Sequence, residues 1–188
     1  MNVPGLKIIG KIMTSENPPT ASPADKGWDI RHPAVFLATG FGAGLLPRAP
    51  GTWGSLLAVG LAWGIVQVWG PAGLAVGAAL AFGVGVWVSG VCIDKYGAED
   101  PKQVVVDEIA GQWLVLLVVP PGLLDYALGF ILFRVFDILK PWPVSWADRT
   151  IKGGLGIMID DLLAAGYAAA VLYAITLGMV GGMGDGGG

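Results

Sequence analysis

The stretch Leu74–Ile93 reads LAVGAALAFGVGVWVSGVCI and contains no Asp, Glu, Lys or Arg. Its length is about the 20 residues that an α-helix needs to cross the hydrocarbon core of a bilayer. The preceding residues, Gly70-Pro71-Ala72-Gly73, favour a turn, and Ser55–Trp69 before them is another apolar run. We therefore predict a helical hairpin that lies in a membrane and turns at Gly70-Pro71.

The composition of the whole chain supports a membrane protein. The chain has 188 residues, of which 54% are hydrophobic and 13% charged, and its mean hydropathy is +0.68. Soluble domains have about a quarter of their residues charged. The length is sufficient for one domain.

Four further segments complete the predicted topology. Ala34–Leu46 is short and rich in glycine, which favours a re-entrant or interfacial segment. Val104–Val119 and Leu123–Leu139 form a second predicted hairpin, and Leu162–Val180 is the last span. We expect an all-α, polytopic membrane helical bundle with about four to five membrane helices plus the N-terminal re-entrant or interfacial helix.

The chain divides into three predicted regions. Residues 1–32 are polar and rich in Pro, Asp and Lys, which is typical of a flexible leader, here cytoplasmic, and they contain no recognisable signal peptide. Residues 33–181 form a single membrane-embedded catalytic helical domain. Residues 182–188 form a Gly-rich flexible tail.

The charged residues fall almost entirely on one side of the predicted membrane topology. All 11 Lys and Arg residues fall on that side, and the only acids on the other side are Asp125 and Asp185. The positive-inside rule makes the charged side cytoplasmic. No basic stripe with interleaved aromatic residues is present, so nucleic acid is not an expected partner.

Two adjacent pairs of acids interrupt or open apolar segments, namely Asp107-Glu108 and Asp160-Asp161. Ionisable residues at membrane depth mark functional sites by default. Neighbouring side chains on a helix diverge by about 100°, so we expect one member of each pair to face a shared pocket while its neighbour serves a second metal, acts as a base or faces the other flank. Carboxylate oxygens suit Mg²⁺, with Asp100 as a further candidate ligand. The alternative is that Asp160 or Asp161 caps a helix N-terminus.

Arg134, Asp137 and Lys140 are spaced i, i+3 and i+6, which places them along one helical face at the cytoplasmic end of a span. In the functional interpretation, Arg134 and Lys140 bind phosphate and Asp137 supplies a ligand or orients the arginine. In the structural interpretation, Arg134 pairs with Asp137 and Lys140 extends to lipid headgroups. The sequence leaves both open.

The segment Pro47–Ser55 leads into the first predicted helix and is a candidate phosphate cradle. A loop of this kind presents free backbone N–H groups and the positive end of the helix dipole to an anion. Arg48, Thr52 and Ser55 are the candidate substrate-binding side chains. An ordinary N-cap loop uses the same residue types, so this signal is weak by itself.

Several enzyme classes are disfavoured by missing residues. His32 is the only histidine, which excludes a phosphatase with a histidine nucleophile and argues against zinc. Cys92 is the only cysteine and lacks an arginine six residues later, where Ala98 stands, which argues against a cysteine phosphatase. It also excludes an intramolecular disulfide.

Three motifs resemble those of one family. Gly51-Thr52-Trp53-Gly54-Ser55-Leu56 is similar to its N-terminal signature, and Asp100–Glu108 with Gly111 and Trp113 to its central motif. Its C-terminal signature resembles Phe133–Pro143 followed by Gly153–Asp161. The family is phosphatidylglycerophosphatase A, and the resemblance covers residues 34 to 180.

The resemblance implies a compact all-α bundle in the bacterial inner membrane, multi-pass, with its active site facing the cytoplasm. It implies a Mg²⁺-dependent phosphatase that converts phosphatidylglycerophosphate to phosphatidylglycerol and inorganic phosphate. The expected roles follow from the residue types. Mg²⁺ would be held by Asp107, Glu108, Asp160 and Asp161 with Asp100 as an additional ligand, Asp137 would be a further catalytic acid, and Arg134, Lys140 and Arg48 would bind the phosphoryl group.

The nucleophile and the competing functions remain open at this stage. No D-x-D pair is present to suggest an aspartyl-phosphate, so we favour attack by metal-activated water. A CDP-alcohol phosphotransferase would need a D-G-x-x-A-R motif, which is absent. The non-enzymatic alternative is a membrane transporter or ion-binding protein that uses the same carboxylate cluster. The oligomeric state is not predicted.

Overall fold

The computed structural model describes residues 27–184, and every regular element in that range is helical. The elements are α1 (Pro33–Ala38), a 3-10 turn (Ala43–Leu45), α2 (Pro50–Tyr96), α3 (Val106–Leu116), α4 (Leu123–Leu139), α5 (Val144–Thr150) and α6 (Gly153–Gly184). The predicted all-α class is confirmed for this part of the chain. Most of the predicted leader, residues 1–26, and the end of the predicted tail, residues 185–188, lie outside the described residues.

Helix α2 is two helices joined at Gly70, whose φ of 65° and ψ of −171° are not helical and which precedes Pro71. The Trp113 indole N–H donates to the Ala58 carbonyl at 2.8 Å, and the same ring lies 3.1 Å from the Cβ position of Gly77. In a straight helix, positions 58 and 77 would be about 28 Å apart. The two halves of α2, residues 50–69 and 71–96, therefore fold back on each other, as the sequence predicted.

Two helices, α2 and α6, are long and apolar enough to cross a membrane by length and composition. The predicted span Val104–Val119 is much shorter as a helix, because α3 has 11 residues. That length corresponds to about 16 Å, against about 30 Å for the hydrocarbon core of a bilayer. The apolar residues at both ends of the predicted span belong to the connectors, since α3 begins only at Val106 and ends at Leu116.

Helix α3 lies at the centre and packs against both halves of α2, α4 and α6. Gly111 allows α4 and α6 to pack closely against α3. A Cβ at this position would lie 2.7 Å from the Phe133 ring of α4 and 3.2 Å from the Asp161 carbonyl oxygen of α6. Phe133 is fully buried in the core with Trp113 and Leu116. This packing sets the depth of α6 relative to the start of α3.

The segment predicted as re-entrant or interfacial, Ala34–Leu46, forms α1 and the 3-10 turn. Gly40, Phe41 and Gly42 between them have positive φ angles. The segment packs beneath the start of α3, where the Val105 N–H donates to the Ala38 carbonyl at 2.8 Å. It therefore helps to fix the position from which α3 begins.

Two helices begin earlier than the sequence predicted. Helix α2 begins at Pro50 instead of Ser55, since proline at the first helical position is preorganised for a helix start. Helix α6 begins at Gly153 instead of Leu162. Asp160 and Asp161 consequently lie about two turns inside α6, so the interpretation of either residue as an N-terminal cap is wrong.

Candidate active site

A cavity of about 480 Å³ opens at one end of the bundle. Its wall is formed by the starts of α2, α3 and α6, the end of α4, helix α5 and the connector that precedes α3. Acidic side chains outnumber basic ones along this wall. The charged residues that line it are Glu99, Asp100, Lys102, Asp107, Glu108, Arg134, Asp137, Lys140, Asp148, Arg149, Lys152, Asp160 and Asp161.

Three of these acids form a cluster that fits a cation. Asp107, Glu108 and Asp161 each offer a carboxylate oxygen, and these oxygens lie within 4.8 Å of one another. Each residue also has one buried side-chain oxygen that no donor in the described structure contacts. Buried anionic oxygens without partners are costly, and carboxylate oxygens are the ligands that Mg²⁺ prefers. We call these three residues the acid cluster.

Helix packing explains why the acid cluster has this membership. Both members of the first pair, Asp107 and Glu108, occupy the first turn of α3, where the helix dipole favours negative charge. From the second pair only Asp161, which is 4% exposed, reaches the cluster. All four acids line the cavity, whereas the acid cluster takes both members of the first pair and one member of the second.

Arg134 connects the acid cluster to α2 and α4. Its Nη1 lies 2.7 Å from Asp137 Oδ2, 3.7 Å from Glu108 Oε1 and 3.5 Å from Ser55 Oγ. Gly51 makes room for this arrangement, because a Cβ at that position would overlap Glu108 Oε1. The predicted Arg134–Asp137 ion pair is confirmed, and the guanidinium nevertheless lines the cavity.

Lys140 ends α4 in a left-handed conformation with φ 43°. Its Nζ lies 2.5 Å from Asp148 Oδ1 and 2.5 Å from Asp160 Oδ2. Burial alone would lower the pKa of this ammonium, but the hydrogen bonds with Asp148 and Asp160 outweigh it and raise the pKa above its usual value. Lys140 is therefore a fixed positive charge and does not simply extend to lipid headgroups.

The structure brings most of the predicted site residues to this cavity. Eight of them line it: Asp100, Asp107, Glu108, Arg134, Asp137, Lys140, Asp160 and Asp161. Ser55 is fully buried behind Arg134, and its hydroxyl donates to the Gly51 carbonyl at 3.0 Å.

Arg48 and Thr52 are not among the residues that line the cavity, where Ala49, Pro50 and Gly51 stand instead. Because α2 already begins at Pro50, position 52 is rotated by about 100° from position 51. The Arg48 carbonyl accepts a hydrogen bond from the Trp53 indole at 3.0 Å.

Asp148, Arg149 and Lys152 were not predicted, although they line the cavity. Asp148 lies eight positions after Lys140, on α5. The intervening segment Pro141-Trp142-Pro143 forms a turn between α4 and α5, and α5 packs against α6. Two prolines between a cation and an acid were the available signal that the two side chains could meet.

The fold and the cavity define a helical protein with an acidic cluster that could hold a metal ion at one end of its bundle. The family model described as phosphatidylglycerophosphatase A matches residues 36–176. The chain belongs to the phosphatidylglycerophosphatase A family, as its three motifs predicted.

Three relatives cover most of the chain. A phosphatidylglycerophosphatase A of Escherichia coli is 40% identical over 149 residues, which are 78% of this chain and 85% of that protein. One of Haemophilus influenzae is 38% identical over 169 residues, covering 89% and 100%. A Bacteroides thetaiotaomicron protein, named provisionally as a phosphatidylinositol-3-phosphatase, is 39% identical over 158 residues, covering 78% and 95%. No solved structure matches the chain.

Proposed function

We propose that the chain is a phospholipid phosphatase that hydrolyses the terminal phosphomonoester of phosphatidylglycerophosphate to give phosphatidylglycerol and inorganic phosphate. Its family and the names of the Escherichia coli and Haemophilus influenzae relatives support this substrate. The observation that carries the proposal is the acid cluster, with its unpartnered buried oxygens, in one cavity with Arg134 and Lys140.

Asp107, Glu108 and Asp161 are the proposed ligands of a Mg²⁺ ion. A bound divalent ion supplies neutralisation of phosphate charge and a water of lowered pKa for in-line attack. The acid cluster fits this role because its oxygens are hard and close together, and because each residue keeps one buried oxygen that no donor in the described structure contacts.

The cations of the cavity bind the phosphoryl oxygens in this proposal. Arg134 has a buried Nε that no acceptor in the described structure contacts, so it retains donor capacity while Asp137 orients it. Lys140 gives two of its three N–H donors to Asp148 and Asp160 and has one left for the substrate. Charge-assisted hydrogen bonds of this kind stabilise the charge that develops on a transferred phosphoryl group.

We propose that this end of the bundle faces the cytoplasm across the bacterial inner membrane. The two halves of α2, α4 and α6 would cross the bilayer and α3 would enter it partway, which gives the expected four to five membrane helices. The positive-inside rule supports the orientation, because the basic residues of the described chain are found at the cavity end: Arg31, Arg48, Lys95, Lys102, Arg134, Lys140, Arg149 and Lys152.

The Bacteroides relative favours a second candidate substrate, phosphatidylinositol 3-phosphate, which presents the same phosphomonoester chemistry on a lipid. A transporter would need charges near the middle of the membrane and access from both faces. The opposite end carries Asp125 as its charged residue within the described range, so a two-sided pathway has little support.

Phosphate release tests the proposal. Detergent-purified protein is incubated with phosphatidylglycerophosphate or phosphatidylinositol 3-phosphate, each with Mg²⁺ and with excess chelator. We expect release from phosphatidylglycerophosphate that the chelator abolishes and Mg²⁺ restores. Faster phosphate release from phosphatidylinositol 3-phosphate would identify that lipid as the substrate instead. No release from either lipid with any metal would favour the transporter.

A further inference from the structure

The Lys140 ammonium lies in a second group of acids next to the acid cluster. Asp148 of α5 and Asp160 of α6 each place a carboxylate oxygen 2.5 Å from Nζ. Asp100, on the connector before α3, lines the same cavity. Carboxylates from separate elements thus converge on one cation that the chain itself supplies.

The two neighbouring groups differ in how their charge is balanced. Each residue of the acid cluster keeps one buried oxygen that no donor in the described structure contacts, and its nearest cation, Arg134, lies 3.7 Å from Glu108 Oε1. The Asp148–Asp160 group instead holds the Lys140 ammonium between its two carboxylates. Asp160 and Asp161 are consecutive in α6, so the groups share a wall. Many phosphoryl-transfer sites use two metal ions about 3.5–4 Å apart that clamp the attacking and leaving oxygens. In this site the group beside the acid cluster already holds an ammonium, that of Lys140.

We infer that the site takes one divalent ion, at the acid cluster, and that the Lys140 ammonium occupies the place of a second ion between Asp148 and Asp160. This inference rests on the metal-binding part of the proposed function. Asp148 is then a positioning residue for Lys140, and Lys140 also holds Asp160, which is 7% exposed and whose Oδ1 no donor in the described structure contacts. The third N–H of Lys140 contacts the substrate, as the second metal ion does in two-metal sites.

The number of bound Mn²⁺ ions tests this inference directly. Equilibrium dialysis of the full chain in detergent, followed by metal analysis, counts the ions per chain. We expect one ion for the unmodified protein and two for Lys140→Met, because the substitution keeps the side-chain length and leaves the carboxylates of Asp148 and Asp160 unbalanced. Two ions in the unmodified protein, or one in Lys140→Met, would overturn the inference.

Three further variants guard against a folding artefact. Lys140→Arg keeps a cation and should keep one ion, whereas Lys140→Met combined with Asp148→Asn should return the count from two to one. Asp161→Asn removes a ligand of the acid cluster and should bind none. Circular dichroism and gel filtration confirm that each variant is folded. If Lys140→Met is not folded, Lys140→Gln takes its place with the same expected count of two.

The metal dependence of the rate separates this inference from the proposed function. With one ion per chain, phosphate release should rise hyperbolically with Mg²⁺ in the unmodified protein, and it should become sigmoidal in Lys140→Met. If the protein hydrolyses the lipid but Lys140→Met binds no second ion, the proposed phosphatase function stands and the inference is wrong. If the unmodified protein binds one ion and Lys140→Met binds two, but neither lipid is hydrolysed, the inference stands and the proposed phosphatase function is wrong.

Discussion

The backbone at Gly51 lies directly against the Glu108 carboxylate, so that a Cβ at position 51 would overlap Glu108 Oε1 and lie 3.0 Å from Arg134 Nη1. The contact joins the first turn of α2 to the first turn of α3. It leaves no volume for even the smallest side chain. The glycine is therefore part of the geometry of the acid cluster.

Gly51→Ala should lower kcat/KM for lipid phosphate release by about 100-fold, the scale that a displacement of about 1 Å causes in an active site. Gly60→Ala is the matched control in the same helix, because nothing lies within 4 Å of its Cβ position. The control should keep full activity and gain up to about 1 kcal/mol of stability. Equal activity in both variants would show that Glu108 tolerates displacement.

Arg134→Lys should lower kcat/KM by about tenfold or more. A lysine retains the charge but lacks the planar fork of donors, so it has no second nitrogen to bind phosphate while the first contacts Asp137, as Arg134 Nη1 does at 2.7 Å. Arg48→Lys is the control, since residue 48 does not line the cavity. If both variants retained full activity, Arg134 would not be a phosphate-binding residue.

The sequence predicted the helical class, the hairpin turn at Gly70-Pro71 and the pairs of acids, because each is a local departure from an apolar pattern. It did not predict which acid of each pair reaches the shared cluster. Consecutive side chains diverge by about 100°, and the rotation of α6 depends on contacts such as that between Gly111 and the Asp161 carbonyl. Such contacts exist only after packing.

The sequence pattern could not predict the partners of Lys140 either. The i, i+3, i+6 spacing assumes that the helix continues, but α4 ends at Leu139 and Lys140 adopts a left-handed conformation. Its ammonium then meets Asp148, which belongs to a different helix, and Asp160. A contact between residues on either side of a turn leaves no regular spacing in the sequence from which it could be predicted.

Gln112→Met should raise the free energy of unfolding by about 1–2 kcal/mol. Gln112 is 0% exposed, and within residues 27–184 neither its amide oxygen nor its amide nitrogen has a hydrogen-bond partner. Replacing an unsatisfied buried amide by an apolar group of similar shape removes its desolvation cost. Thermal unfolding in detergent measures the change, and a lower Tm would mean that the amide has a partner, such as a buried water.

Trp113→Phe provides the contrasting variant on the same helix. The substitution removes the hydrogen bond that the indole N–H donates to the Ala58 carbonyl at 2.8 Å. It should lower the stability by about 1 kcal/mol or more, opposite in sign to Gln112→Met.

Gly154→Ala should destabilise the protein by about 1–3 kcal/mol, the usual cost of overpacking. A Cβ at this position would overlap the Val86 carbonyl oxygen and lie 2.8 Å from the Gly90 nitrogen, so α6 would have to move away from α2. Asp160 and Asp161 would move with it, and activity should fall as well. Gly166→Ala, with nothing within 4 Å of its Cβ position, should keep full activity and gain up to about 1 kcal/mol of stability, as Gly60→Ala should. Matching losses in both variants would contradict the packing argument.

The most direct test of the acid cluster as the catalytic centre is phosphate release from phosphatidylglycerophosphate by Asp161→Asn, beside Asp125→Asn at the opposite end of the bundle. Both variants remove one carboxylate, but only Asp161 belongs to the acid cluster. We predict that Asp161→Asn loses Mg²⁺-dependent release while remaining folded and that Asp125→Asn keeps it. Full Mg²⁺-dependent release by Asp161→Asn would contradict the account.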